Sequence, residues 1–229
     1  MKKIFYASAF IILILGFFYF YVNNVAFDQS KIKNLKVSDN TNQIIFVLAN
    51  RFGKAKLFFC EKNNKGEWNE KINSYAFVGK EGIAQASEGS MKTPKGAYNF
   101  THAFGISENP GIKSFDYIKV DTDYYWVDDV NSAYYNKFVC MKDKNIVKDW
   151  NSAEHIIDYP EAYKYVLAFD YNKECVPGAG SAFFLHVTTK HKYTAGCVSV
   201  PEKIMIYIMQ NIKTDCKIVI CNQNEILSY

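Results

Sequence analysis

Glycine and proline are scarce in this chain, 12 and 5 of 229 residues, and no repeat or low-complexity tract interrupts it. That composition excludes a disordered linker-type protein. No block of Lys or Arg stands out either. The 27 basic and 23 acidic residues leave a net charge of only +4, so no nucleic-acid partner is expected. No CxxC or HxxxH frame exists to gather metal ligands, and the expectation is no metal and no cofactor. What the chain has in quantity is aromatic bulk, 17 Tyr and 18 Phe within 49% hydrophobic residues. This mix suits packed strands around a real core.

The first residues divide the chain. Lys2 and Lys3 precede an uncharged stretch from Ile4 to Val22, long enough to cross a bilayer as a helix. The lysines would stay cytoplasmic and the remainder would lie outside. A cleaved signal peptide is the rival, although "NVA" at 24–26 is a poor cleavage site. Either way the folded part is extracytoplasmic, membrane-anchored or secreted. The expected division is a signal-anchor or signal peptide at 1–22, a polar tether at 23–40 and one domain at 41–229. A monomer is expected.

The domain reads as mainly β. "QIIFVLA" (43–49) and "AKLFFCEK" (55–62) are strand-like runs about the turn-like "NRFGK". Further strands are expected in "YAFVG", at 96–100, at 124–129, from Tyr163 onward, before His186, and in "KIVICN". One helix is expected after Cys197. Ser199 with Glu202 suggests a capping box, Pro201 suits the first turn, and Ile204, Ile208 and Ile212 with Met205 form a core-facing stripe. Six cysteines do not have the spacing of a disulfide scaffold. Cys216 and Cys221, an odd number apart along one strand, should face opposite ways.

The segment "HVTTKHKYTAGCVSV" (186–200) concentrates the chemistry. A free thiol is only about 3% ionised at pH 7 and needs a base to become a nucleophile. A histidine in reach takes the proton and later returns it to a leaving amine. His186 ends an apolar strand and is the candidate base for Cys197; His191 lies in a Lys- and Thr-rich loop. His102 in "THAFG" ranks third as a candidate base, and His155 sits in a polar loop at the surface. Gly196 lets a substrate carbonyl approach, and the amides of Gly196 and Cys197 face a developing oxyanion. The N-terminus of the following helix would favour a thiolate if it points at the sulfur. The alternative for the pair is an ordinary buried thiol beside a histidine. Asp128 and Asp129 read as an acidic turn or as a carboxylate pair.

The segment resembles the catalytic motif of the YkuD-type L,D-transpeptidases, in which a strand-terminal His is followed by Ser/Thr-x-Gly-Cys. Here those residues are His186 and Thr194-Ala195-Gly196-Cys197. A second match is "EGSMKTPKGAYNF", with Glu88-Gly89, Lys92-Thr93-Pro94, Gly96 and Phe100. The flanks "FVGKEGI", "AFGISENPG" and "YYWVDDVNSAYYN" are similar to a secreted subgroup, so the resemblance spans roughly 43 to 222. It implies an L,D-transpeptidase-like β-sandwich with one or a few short helices, acting on peptidoglycan stem peptides. Cys197 would attack the carbonyl of a diamino acid in the stem and form a thioester, and an amine from a neighbouring stem would resolve it. Resolution by water would make a carboxypeptidase or amidase instead. A wall-binding module without catalysis is the third possibility. By the same resemblance Val187 orients His186 through its carbonyl, and Thr194, Ala195 and Ser199 line the substrate. Ala195 stands where the family usually has His, only ten residues separate His186 from Cys197, and Ser199 replaces the usual Asn or Arg. These departures bear on acceptor choice and stem recognition.

Overall fold

The computed structural model describes residues 27–49 and 53–229. The expected membrane-crossing segment at 1–22 lies outside them, and among the described residues no helix is long and apolar enough to cross a membrane.

Among the described residues, fourteen strands and one α-helix make up a mainly β fold. In chain order the strands are β1 (Gln43–Ala49), β2 (Lys54–Lys62), β3 (Trp68–Phe77), β4 (Ile83–Ala84), β5 (Thr93–Pro94), β6 (Gly96–Gly105) and β7 (Tyr117–Lys119). There follow β8 (Tyr124–Val127), β9 (Phe138–Cys140), β10 (Ala153–His155), β11 (Val166–Phe169), β12 (Phe184–Val187) and β13 (Val198–Val200). Helix α1 (Glu202–Asn211) and β14 (Lys217–Asn222) complete the set.

β1 is buried at all seven positions: the apolar run from Ile44 to Ala49 permits this, and Gln43 is satisfied by the Asn211 carbonyl. Ile45 and Val47 join one core cluster, while Ile44, Phe46 and Leu48 join another on the opposite face. β1 pairs antiparallel with β2 and parallel with β14. The main sheet runs β11-β12-β13-β3-β2-β1-β14-β6-β7, and β11 also pairs with β6. Eight strands therefore close into a ring. The family resemblance implied a β-sandwich; here hydrogen bonding continues round both margins. Side chains from these strands fill the ring with a single core, to which α1 adds Met205, Ile208 and Met209 and its C-cap adds Ile212. Ile204 is only half-buried against it.

Two differences from expectation concern polar ends. The capping box of Ser199 and Glu202 does not form: Pro201 is the N-cap, without a side-chain bond, and Ser199 belongs to β13. The expected tether at 23–40 is packed from Phe27 onward. Phe27 lies against Phe46 and Phe58 at 4.9 Å, and Ile32 and Leu35 are buried beneath short 3-10 turns. This segment covers the apolar outer face of β1 and β2, which would otherwise be exposed.

Outside the ring, across from β6, β11 and β12, sits a small sheet of order β10-β8-β9. It carries Trp126 and Phe138 onto the ring's outer face, where they meet Phe104 and Phe184. The candidate site lies between this flap and the ring.

Candidate functional site

β12 and β13 run parallel, with Leu185 opposite Val198, His186 opposite Ser199 and Val187 opposite Val200. Leu185, Val187, Val198 and Val200 point into the ring core. By alternation Phe184, His186, Cys197 and Ser199 project outward, toward the flap. Phe184 and Cys197 accordingly share one cluster with Trp126 and Tyr163. This register is what places the thiol and the imidazole on one surface, diagonal to each other on neighbouring strands. Both are nearly covered, with Cys197 8% and His186 7% exposed.

His186 Nδ1 lies 2.8 Å from the carbonyl oxygen of Val187. A carbonyl only accepts, so in the neutral ring Nδ1 carries the hydrogen and Nε2 is the basic nitrogen. Burial pulls the imidazole down to about 4, against the opposing effect of the Val187 bond. The Cys197 thiol is pushed well up, first by burial and then by the charge of Glu154, while the Phe184 N–H acts the other way. At rest the sulfur donates to the carbonyl of Ala182 at 3.3 Å, not to His186. Thiol and imidazole are therefore both neutral in this state.

Ala182 is held in the left-handed region, φ +56°, where an alanine is strained. Its N–H donates to Asn136 Oδ1, which also receives the indole N–H of Trp126. The flap thus fixes the carbonyl that accepts the thiol.

The two sequence motifs, about a hundred residues apart, meet on the main chain of Cys197. Thr194 Oγ1 donates to the Cys197 carbonyl at 2.6 Å, and Thr93 Oγ1 donates to the same oxygen at 3.2 Å. Thr93 accepts in turn from the Gly79 N–H at 2.7 Å. Gly79 must be glycine: a Cβ there would fall 2.3 Å from the Met91 carbonyl oxygen.

Several expected site residues sit differently. The Gly196 N–H donates to Thr194 Oγ1 at 3.2 Å and is not free for an oxyanion. Its lack of a side chain makes room for the Phe183 ring, 2.8 Å from where a Cβ would be, not for a substrate. Ser199 is 2% exposed and its hydroxyl accepts from Thr188, so it does not line a substrate surface. The Val187 side chain is in the ring core. Thr194 is buried with its hydroxyl committed, and only Ala195 of the loop motif is exposed. The start of α1 stands beyond the whole of β13 from Cys197, on the order of 10 Å along the strand, too far for its dipole to act on the sulfur.

The other histidines are elsewhere. His191 is exposed on the loop, 5.9 Å from Tyr193. His155 stacks on Tyr125, with its ring nitrogens near Asp158 and the Thr122 carbonyl. His102 lies edge-on to Trp126. Asp129 is structural, accepting from the amides of Asn131 and Asn151. All six cysteines are free, with Cys216 and Cys221 in different core clusters. Among the described residues no three His, Cys, Asp or Glu side chains are grouped to hold a metal.

Three neighbours of the thiol were not singled out by the sequence: Glu154, Tyr163 and Ala182. The Tyr163 ring stands edge-on to His186 at 5.6 Å, and its hydroxyl donates to Glu154 Oε2. Burial raises the Glu154 carboxyl to about 7, with further upward pushes from Asp128 and Glu88 and an opposing one from the Tyr163 bond.

Glu154 and His186 give stability opposite pH slopes. His186 is depressed, so the unfolded chain binds its proton first, and stability is lost as pH falls from 6.5 towards 4. Glu154 is elevated, so its contribution is present below 4.5 and lost as pH rises through 7. Between 4.5 and 6.5 the two oppose each other. Glu154→Gln removes one of them, and its stability should fall towards acid more steeply than that of the parent, by roughly 1 kcal/mol per pH unit. Urea titrations at several pH values check this, and parallel curves would contradict it.

No family model matches the chain, and no curated protein matches it. Among solved structures it is similar to the crystal structure of the helical cell shape determining protein Pgp2 from Campylobacter jejuni. The TM-score is 0.43 and the identity 12%, over 80% of this chain and 49% of that one. The chain thus spans about half the length of the structure it matches, and a likeness this slight carries no functional argument.

Proposed function

We propose that the chain is a cysteine acyltransferase of the YkuD-type L,D-transpeptidase class, working on peptidoglycan stem peptides. The observation that carries this is the pairing of β12 with β13, which sets Cys197 and His186 on one face with the His186 tautomer fixed by Val187. In the proposed reaction a substrate carbonyl displaces the thiol from the Ala182 oxygen. The sulfur then gives its proton to Nε2 of His186 and attacks. With the Gly196 amide committed to Thr194, the Cys197 N–H is assigned to the oxyanion. His186 returns the proton to the leaving amine, and a thioester remains. An amine acceptor resolves it to a cross-link. Sulfur, imidazole and a main-chain amide suffice for these steps, so no metal or cofactor is invoked.

The two threonines on the Cys197 carbonyl support this reading, since they fix the main chain that aims the sulfur. Incubation with disaccharide-tetrapeptide, read by mass spectrometry, tests it. A cross-linked dimer together with an acylated protein is the expected result. A tripeptide alone would mean that water resolves the thioester, and no product would leave a wall-binding role.

A further inference from the structure

Tyr163 and Glu154 approach the thiol from the flap side, and the proposed acylation uses neither. Glu154 lies directly opposite Trp126 in the β10–β8 pairing. Directly paired residues share a face, and Trp126 points into the cluster that contains Cys197, so Glu154 points there too. One carboxylate oxygen is held by the Tyr163 hydroxyl. The other receives no hydrogen bond among the described residues and is not sealed from solvent. Tyr163 ties this carboxylate to the site, because the same ring packs edge-on to His186 and to Phe184.

Resting on the acyltransferase reading above, we propose that Glu154 receives the acyl acceptor: its carboxylate binds the acceptor's ammonium group and takes a proton from it. The nitrogen then bonds to the carbonyl carbon of the Cys197 thioester and the C–S bond breaks. The amine's second proton passes by way of His186 to the sulfur. An amide, a Cys197 thiol and a protonated Glu154 carboxyl result, and Glu154 releases its proton to water.

The surroundings suit a cation. The Glu154 carboxylate is close enough to the thiol to oppose its ionisation, and Asp128 and Glu88 add negative charge around Glu154. One oxygen of Asp128 is buried with no partner. Glu88 is held by the hydroxyls of Tyr135 and Ser181 at 2.6 and 2.9 Å. Once the thiol is esterified, its repulsion with Glu154 is gone, and an arriving ammonium neutralises the carboxylate. A carboxyl that titrates near neutrality is also well matched to accept a proton there. Water carries no positive charge for the carboxylate to hold, so Glu154 would favour aminolysis over hydrolysis by concentrating the amine at the thioester.

The test uses the full-length chain with disaccharide-tetrapeptide as both donor and acceptor, comparing wild type, Glu154→Gln and Tyr163→Phe. Acylated protein is followed at quenched times, dimer and tripeptide at completion, and a thermal melt confirms folding. Glu154→Gln should acylate no more slowly than wild type, because the charge that opposes thiol ionisation is gone, while its dimer-to-tripeptide ratio falls at least about tenfold. Tyr163→Phe, which frees the carboxylate without removing it, should lower the ratio by less. Wild-type dimer formation should rise as pH passes through about 7, and this limb should vanish in Glu154→Gln. An unchanged ratio with normal acylation would overturn the role of Glu154 alone. A fall in acylation parallel to the fall in dimer would also overturn it, leaving a structural role. Wild type that acylates and yields only tripeptide would overturn the amine acceptor. Wild type that never acylates would overturn the thiol reading, and this one with it.

Discussion

Cys197→Ser is expected to lose turnover of a stem-peptide substrate by at least about a thousandfold while the protein stays folded. The two halves of this expectation have different physical origins. A serine hydroxyl keeps the donor that the thiol presents to the Ala182 carbonyl, and it is close in volume. The change in a site this well covered should therefore cost no more than about 1 kcal/mol of stability. Chemistry is another matter. The proposed nucleophile must be ionised in an apolar pocket beside Glu154, where even the thiol is pushed far up. A hydroxyl starts much higher on the acidity scale, and His186, pulled down to about 4, is too weak a base to make good the difference. Intact-mass spectra after incubation with disaccharide-tetrapeptide, alongside a thermal melt, check both halves. Substantial turnover by the serine variant would rule out Cys197 as the nucleophile.

How far these features could be read beforehand depended on their range along the chain. β1 and the stripe of α1 follow from local patterns: an apolar run from Ile44 to Ala49 and apolar residues four apart. The opposite facing of Cys216 and Cys221 follows from the period of a strand. The capping box failed because its signal was local while the deciding contact was not: Ser199 turns to Thr188 on the neighbouring strand. Gly196 shows the same limit, since the Phe183 ring that requires it approaches from another segment. The flap was the least legible part. β8 falls within the strand expected at 124–129, but β9 and β10 are three residues long, too short to show a period, and their form comes from packing on the ring. With the flap went Glu154 and Tyr163, whose nearness to Cys197 depends on the β10–β8 pairing and on a 3-10 turn at Ala162–Lys164.

His186→Ala should reduce turnover by about 10²- to 10⁴-fold, whereas His191→Ala should leave it within about twofold. The contrast rests on position. His186 ends a buried strand with Nδ1 bound to the Val187 carbonyl, so Nε2 is offered in one tautomer and one direction. His191 is on the surface of the loop, and nothing in its surroundings aims it at the sulfur. Because thiol and imidazole are both neutral at rest, the ion pair is expected to form only as substrate binds. Free Cys197 should then react slowly with iodoacetamide at neutral pH, and His186→Ala should change that slow rate little, even as it removes most of the turnover. An imidazole that only supported packing would lower turnover and melting temperature together, so the melt separates the two cases. The reverse ranking, with His191→Ala the damaging change, would move the base to the loop and imply that residues 188–196 fold over the thiol when substrate arrives.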